Sequence, residues 1–373
     1  MGIVRSALAS KPVAALTSPH HIDHYLERIN PLATAAAVRA KVVEVRRETG
    51  DSSTVVLRAN GAWRGFQPGQ HVQFGVEVDG ARKVRVFSVA SSAAARRGLL
   101  RNSRARRTFS VSVKAHPDGY VSQFLHREMT PGTVIFLSQA EGEFVLPAQV
   151  PDHVLLISGG SGITPVMSMV RTLKDRKHIG RVTFLHYART RTDEMFTSEL
   201  DELGQLAAEG VEIVRVYTRE SAPDAELTGR FTIDHLKHLG INPVDTLTFA
   251  CGPAGLIATV RDTYADLGAA DQLRMEYFKV PSVDLSAADA SGTLKFDVSG
   301  TTAENSGATI LEQAEAAGLT PAFGCRMGVC NTCAVKKLGG AVRHVVSGEI
   351  NANTDETTKI CVHVPVGDVS VAL

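Results

Sequence analysis

Three of the chain's five cysteines fall within nine residues, in the stretch CRMGVCNTC at 325–333, and a fourth, Cys361, follows after a longer gap. The spacing of Cys325, Cys330 and Cys333 is C-x4-C-x2-C. No other feature restricts the fold as much. A chain that brings four thiols to one point must wind tightly around it, and Gly324 and Gly328 supply permissive backbone there. The spacing is that of plant-type [2Fe–2S] ligation, in which four thiolates hold two irons and backbone amides reach the bridging sulfurs. A zinc site and buried thiols are the competing readings. Zinc knuckles favour two C-x2-C pairs, and here only Cys330 and Cys333 form one. The iron–sulfur reading is therefore preferred.

At 373 residues the chain should form two or three domains. With 44% hydrophobic and 21% charged residues, a large core needs no staples, and five cysteines make no disulfide scaffold. The net charge of +1 gives no global pull toward nucleic acid or anionic lipid. No secretory h-region stands in residues 1–16, and no run reaches about 18 apolar residues. A soluble, cytoplasmic protein, with peripheral attachment to a membrane as the alternative and no nucleic-acid partner, is expected. MGIVRS, with Gly2 and Ser6, fits the loose myristoylation pattern and is read as a chance match.

The texture of the chain changes along its length. Residues 1–37 read as a leader, in part helical. Over 38–149, six short β-rich runs are bounded by Gly, Pro, Asp and Asn, which predicts a small antiparallel β-barrel. Over 150–280, the continuous apolar runs HVLLISGG, VTFLHYA, VEIVRVYT and DTLTFACG alternate with helical periods. Strands buried on both faces and joined by helices make a parallel α/β sheet. Residues 281–291 read as a linker. Residues 292–373 read as a compact α+β module, with strand-like runs at Gly292–Val298 and Gly367–Leu373 around a helix over Ile310–Ala317.

Several short motifs then fall in order. RVFS, Arg85–Ser88, ends a barrel strand. FQPGQHVQF precedes it; GYVSQFL, Gly119–Leu125, and EGEFVLP, Glu141–Pro147, follow. This set resembles the flavin-binding half of the ferredoxin–NADP reductase superfamily. The resemblance implies FAD contacts at Arg85, Val86, Phe87 and Ser88. Arg85 would pair with the pyrophosphate, Phe87 would pack on the flavin, and Ser88 would face N5. A pyrophosphate suits a bidentate cation and a flat ring suits an apolar wall. Phe87 stands where tyrosine is commoner, so a phenol hydrogen bond is lost. Gly119, Val121, Ser122 and Gln123 would offer amides and a hydroxyl to the same pyrophosphate, and Glu141–Pro147 would be the barrel's closing strand.

LLISGGSGITPVMSM, Leu155–Met169, reads as strand, glycine loop and helix, a pattern that lets backbone approach a pyrophosphate. It resembles the G-G-x-G-[IV]-[TA]-P of the same superfamily, which implies nucleotide contacts at Gly160, Ser161, Gly162, Thr164 and Pro165. FACGP, Phe249–Pro253, resembles its C-G-P motif, which implies that Cys251, Gly252 and Pro253 lie beside the nicotinamide. RMEYF, Arg274–Phe278, stands where the family has a carboxylate near the flavin, so Glu276 joins Ser88 and Cys251 as catalytic candidates. Thr218 and Arg219, with Arg189 and Arg191, stand where a 2′-phosphate would need cations, which favours NADPH over NADH.

GCRMGVCNTC resembles the ferredoxin domain of oxygenase reductases. That likeness implies that Cys325 and Cys330 ligate one iron, Cys333 and Cys361 the other, in a β-grasp-like domain. The order flavin, nucleotide, ferredoxin is that of the phthalate dioxygenase reductase and phenylacetyl-CoA oxygenase reductase type. The segment HHIDHYLERINPLATAAAVRAKVV is similar to reductases paired with alkane hydroxylases and acyl-CoA desaturases. The expected activity is electron transfer from NAD(P)H through FAD and the [2Fe–2S] cluster to a partner oxygenase or desaturase, soluble or membrane-bound. The alternatives are a ring-hydroxylating dioxygenase or multicomponent monooxygenase as acceptor, or a non-catalytic redox sensor. A sensor has no need of Arg85, Ser88, Cys251 and Glu276 together. Arg96, Arg97, Arg101, Arg104, Arg106 and Arg107 form an acid-free insert, read either as a solvated loop or as a docking patch for a partner or membrane surface. Arg326, Met327 and Val329 are expected to face the electron acceptor.

Overall fold

The computed structural model describes residues 13, 17, 20, 22–78, 81–93, 107–117, 119–205, 210–220, 227–278, 291–324, 326, 328, 331–345 and 347–373. Gly2 and Ser6, the arginines from Arg96 to Arg106, residues 281–290, and Cys325, Met327, Val329 and Cys330 lie outside the described residues. The chain divides into two compact units, residues 1–276 and 277–373. No helix among the described residues is long and apolar enough to cross a membrane.

In the first unit the six β-rich runs become β1 (Val38–Thr49), β2 (Ser52–Ala59), β3 (His71–Val78), β4 (Ala81–Ser88), β5 (Thr108–Lys114) and β6 (Val134–Leu137). They form one antiparallel sheet in the order β4-β3-β6-β1-β2-β5. A bridge between Val89, just past β4, and Val111 of β5 closes it into a barrel, which leaves no open edge there. Alternating inward residues such as Val55, Leu57, Phe74 and Val111 fill the barrel and are fully buried. Glu141–Pro147 is not the closing strand that the resemblance implied. Only Glu141 pairs, in an isolated bridge with His71, and the remainder runs on as irregular backbone; Gly142, at φ +113°, breaks the extended run.

Ahead of the barrel, helix α1 (Ile22–Ile29) is pinned by its polar side. Asp23 is buried and its carboxylate accepts from the amides of Ala35, Ala36 (3.2 Å) and Ala37 (3.0 Å). Glu27 pairs with Arg39 at 2.5 Å, whose guanidinium lies 3.8 Å above the Phe136 ring. Asp23→Ala would leave buried donors without their acceptor, at a cost of about 2 kcal/mol. Hydrogen exchange at Ala35–Ala37 should then speed up roughly 30-fold; unchanged exchange would show that the helix is held some other way.

The second half of this unit is a sheet in the order β11-β10-β7-β8-β9. Its strands are β7 (His153–Gly159), β8 (Arg181–Ala188), β9 (Val211–Tyr217), β10 (Leu247–Gly252) and β11 (Leu273–Tyr277). β7 pairs in parallel with β8 and β10, and β8 with β9. Val154, Leu155, Leu156 and Ile157 are fully buried in succession, as a strand covered on both faces requires. Helix α2 (Tyr120–Arg127) packs on the barrel; α3 (Ile163–Asp175), α4 (Thr197–Gly204), α5 (Ile233–His238) and α6 (Ala254–Asp266) belong to the sheet half.

The second unit contains β12 (Thr293–Phe296), β13 (Thr301–Glu304), α7 (Ile310–Ala316), β14 (Ala334–His344), β15 (Ile350–Asn351), β16 (Glu356–Lys359) and β17 (His363–Val371). The sheet order is β13-β12-β17-β14-β15, with β12 parallel to β17 and β16 on β14. α7 starts at a capping box, Thr309 and Glu312 each satisfying the other's backbone amide. Its buried side, Ile310, Leu311 and Ala314, packs with Leu294, Phe296 and Val371 into the core. β14 escaped the sequence reading because Gly339, Gly340, two lysines, an arginine and a histidine interrupt its apolar alternation. One of those cations, Lys337, is buried, with its ammonium on the carbonyls of Gly340 (2.8 Å) and Asn351 (3.1 Å).

Candidate functional site

The barrel and the parallel sheet are locked at the end of β4. Ser168 Oγ of α3 donates to the Ser91 carbonyl at 2.7 Å, and the Ala93 amide donates to Thr172 Oγ1 at 2.9 Å. Arg171 reaches the Ala90 carbonyl and forms an ion pair with Glu199 of α4. Gly69 lies so close to Phe144 and Met169 that a Cβ would stand 2.0 Å from the Phe144 carbonyl oxygen. These contacts fix where Ser88 stands relative to the sheet.

Ser88 is buried at the end of β4, in register with His71 of β3. Phe87 packs edge-on against Phe74, ring centroids 5.8 Å apart at 84°. Arg85 is half-buried and donates to the Val84 carbonyl at 2.8 Å; Val86 is half-buried beside it. Gly119 caps α2, and a Cβ there would stand 2.4 Å from Ser122 Oγ, so a larger residue would turn that hydroxyl aside. Ser122 Oγ donates to the Gly119 carbonyl at 2.8 Å and accepts from the His116 amide at 3.1 Å. The sequence expectation for Gln123 needs correcting. Its amide already donates to the Gly119 carbonyl at 2.9 Å, so it is not available to a ligand. Its side-chain Oε1, in contrast, is buried without a protein partner, and Val121 is buried at the same helix start. A glycine-capped helix start with no acid in its first turn fits a flavin pyrophosphate; Gln123 Oε1, an acceptor, adds nothing to the binding of an anion.

In the sheet, Gly159 ends β7, the turn Gly160–Gly162 follows, and Thr164 and Pro165 are buried in the first turn of α3. Gly160 is left-handed, at φ +52°, with open space where a Cβ would project. Gly162 packs on β10; a Cβ there would stand 2.2 Å from the Cys251 carbonyl oxygen. Thr164 Oγ1 donates to the Ser161 carbonyl at 3.1 Å. Pro253 begins α6 against Gly159, with Gly252 buried before it. This cradle, which side chains would fill, fits a dinucleotide pyrophosphate.

Cys251 is fully buried, and its Sγ lies 4.0 Å from Glu276 Oε2 on β11. Burial pushes the thiol well up, and the Glu276 carboxylate adds to this, so Cys251 stays a neutral thiol. Burial also raises the Glu276 carboxyl, against an opposing effect of His71. The 3.5 Å contact between His71 and Glu276 was missed at the sequence level. A residue inside a barrel-strand motif gives no sign that its partner is a carboxylate on the last strand of another sheet.

At the far edge, the Arg219 amide donates to the Arg189 carbonyl and the Thr218 amide to the Ala188 carbonyl, both at 2.9 Å. Arg189 pairs with Asp193 at 2.8 Å and Arg191 with Asp201 at 3.4 Å. Arg219 is exposed and forms no ion pair among the described residues. A separate cavity of about 1170 Å³ opens between β1, β2, β5 and the helices α3 and α4, and none of Ser88, Cys251 or Glu276 lines it.

In the second unit, Cys333 and Cys361 are buried, 2% and 4% exposed, and the Ile360 amide donates to the Cys333 carbonyl at 3.2 Å. Arg326, Gly328 and Asn331 are all left-handed. Repeated left-handed residues wind a loop tightly, as four converging thiolates require. Lys359 Nζ donates to the Gly328 carbonyl at 2.6 Å and ties the loop to β16. The Arg326 guanidinium covers the Phe323 ring at 4.0 Å and pairs with Glu315, so it is already engaged on the surface expected to meet an acceptor.

Comparison with known proteins agrees with this division. Residues 39–146 match the oxidoreductase FAD-binding domain, 156–262 the oxidoreductase NAD-binding domain, and 295–366 the 2Fe-2S iron-sulfur cluster binding domain. The chain is 36% identical to an NADPH oxidoreductase of Mycobacterium tuberculosis, over 91% of this chain and 85% of that protein. It is 29% identical to the glycine betaine monooxygenase reductase subunit of Chromohalobacter salexigens, over 86% and 92% of the two chains. Among solved structures, phthalate dioxygenase reductase shares the fold, with a TM-score of 0.57 at 21% identity, over 90% of this chain and 97% of that one.

Proposed function

Because the chain belongs to the FAD- and [2Fe–2S]-containing, NAD(P)H-dependent oxidoreductases of the ferredoxin–NADP reductase superfamily, we propose that it draws electrons from NADPH and delivers them singly to a partner oxygenase. FAD, when bound, takes two electrons at once from a dihydronicotinamide and can give them up one at a time to an iron–sulfur centre. The observation that carries this reading is the approach of Glu276, which lies beside Cys251, to His71 of β3, the cross-strand partner of Ser88.

The residues divide the work. Arg85 and the start of α2 hold the flavin pyrophosphate, and Phe87 and Ser88 orient the ring. The Gly160–Gly162 turn and the first turn of α3 hold the nucleotide pyrophosphate, so that the nicotinamide reaches Cys251. The neutral thiol gives close apolar contact without competing for the hydride. Cys325, Cys330, Cys333 and Cys361 hold the cluster. For the acceptor, an acyl-CoA desaturase or alkane hydroxylase is proposed from the likeness of residues 20–43 to the reductases of those systems. A multicomponent monooxygenase is the second reading, favoured by the relative named for glycine betaine monooxygenase. Reconstitution with purified candidate acceptors, comparing turnover with each, decides between them.

Arg219 is proposed to meet the 2′-phosphate. Arg219→Ala should raise the KM for NADPH at least about tenfold, through loss of a charge-assisted contact, and leave that for NADH nearly unchanged. Equal effects on both coenzymes would remove the assignment.

A further inference from the structure

His71 is buried where the two halves of the first unit meet, 4% exposed. Its Nδ1 lies 3.5 Å from Glu276 Oε1, and the other carboxyl oxygen of Glu276 lies 4.0 Å from Cys251 Sγ. The imidazole has little freedom. The His71 backbone exchanges hydrogen bonds with that of Glu141, at 3.0 and 2.9 Å, and Ser88 is its partner across the strands. Gly142 lies flat against the ring; a Cβ there would stand 2.9 Å from both Nδ1 and Cε1. A histidine clamped on backbone, strand and glycine, with one nitrogen facing a partly buried carboxyl, is built to hold that carboxyl in one place.

We propose that His71 is a positioning residue for hydride transfer, holding the Glu276 carboxyl aimed at Cys251 and favouring its carboxylate form. The proposal rests on the reading of Cys251 and Glu276 as the hydride site. When the C4–H bond of a dihydronicotinamide breaks, hydrogen leaves with both electrons, which FAD, when bound, would accept. The neutral nicotinamide ring is left as a cation. A partly buried carboxylate beside that ring would stabilise the charge as it develops. No proton moves on the histidine–glutamate pair during the step. Burial raises the Glu276 carboxyl, and His71 beside it acts in the opposite direction. The other groups facing the pair are few. Cys251 comes from β10, and Glu141, whose backbone pairs with His71, is exposed. Arg274, on the same strand as Glu276, holds its guanidinium on the carbonyls of Asp271 and Leu273.

The test uses the full-length, FAD-loaded protein and its His71→Gln variant, with His71→Asn in its place should the first not load FAD. Without His71 the Glu276 carboxyl loses the neighbour that opposes the effect of burial and is expected to keep its proton to higher pH. Anaerobic flavin reduction by NADPH should be at least about tenfold slower than wild type at pH 7, one pKa unit being a factor of ten, and should recover as the pH is raised to 9. Infrared spectra of the oxidised protein at pH 7 should show a protonated-carboxyl band in the variant that is absent from wild type and lost in His71→Gln/Glu276→Gln. A loss independent of pH, no loss, or no Glu276-dependent band would overturn the proposal. Glu276→Gln in the same assay separates the two levels. If it reduces its flavin at the wild-type rate at every pH, the hydride-site reading fails; if it is slow while His71→Gln is normal, only the role of His71 fails.

Discussion

Cys361→Ser is expected to abolish the iron–sulfur absorbance and to cut NADPH-driven reduction of a protein acceptor at least about 100-fold, while flavin reduction stays within about twofold of wild type. Cys361 lies between Ile360 and Val362, which are almost wholly buried, in the core that also contains Cys333. A serine there keeps the shape and loses the thiolate, so the fold of the second unit should survive. Cys251 and Glu276, proposed as the hydride site, lie in the other compact unit and should not register the change. Retention of the cluster would remove Cys361 from the ligand set. Loss of flavin reduction as well would contradict the division of labour between the units.

The second large effect is expected at Gly162. A valine there would drive Cβ into the Cys251 carbonyl, 2.2 Å away, and backbone cannot swing aside as a side chain can. The expected cost is about 3 kcal/mol, a midpoint roughly 6–12 °C lower for the first unit. Hydride transfer should fall with it, because β10 carries Cys251 and any shift moves the thiol. Gly160→Ala is the control. Its Cβ meets nothing within 4 Å, and only the left-handed backbone resists, at about 1 kcal/mol. Thermal melts of the two variants should rank them in that order; the reverse order would mean that the turn, and not the approach of β7 to β10, is what requires glycine.

The parts of the fold legible in the sequence were those written as period or spacing. The barrel runs alternate because one face is buried, and the β7, β8 and β10 runs are continuously apolar because both faces are. The glycine turn at 160–162 and Pro253 could be read because the close approach of backbone leaves few residue choices. What could not be read depended on contacts across the chain. β14 is concealed by Gly339, Gly340 and a buried lysine whose partners, the carbonyls of Gly340 and Asn351, exist only once the sheet forms. Gln123 carried the expected motif, yet helix formation engages its amide and leaves its side-chain oxygen as the unsatisfied group. His71 stood inside a recognised stretch, but its role depends on Glu276, brought beside it from the opposite end of the first unit.

The central claim, that electrons enter at the Cys251–Glu276 site and leave through the four-cysteine loop, is tested most directly by anaerobic rapid mixing of the holoprotein with NADPH. Flavin absorbance and the electron paramagnetic resonance of the cluster are followed on the same time base. The account predicts that flavin bleaching comes first, that the reduced-cluster signal grows afterwards, and that Cys251→Ala slows both phases together while Cys361→Ser removes only the second. A cluster signal that rises without prior flavin bleaching, or flavin that is reduced by NADPH while an intact cluster stays oxidised, would contradict it.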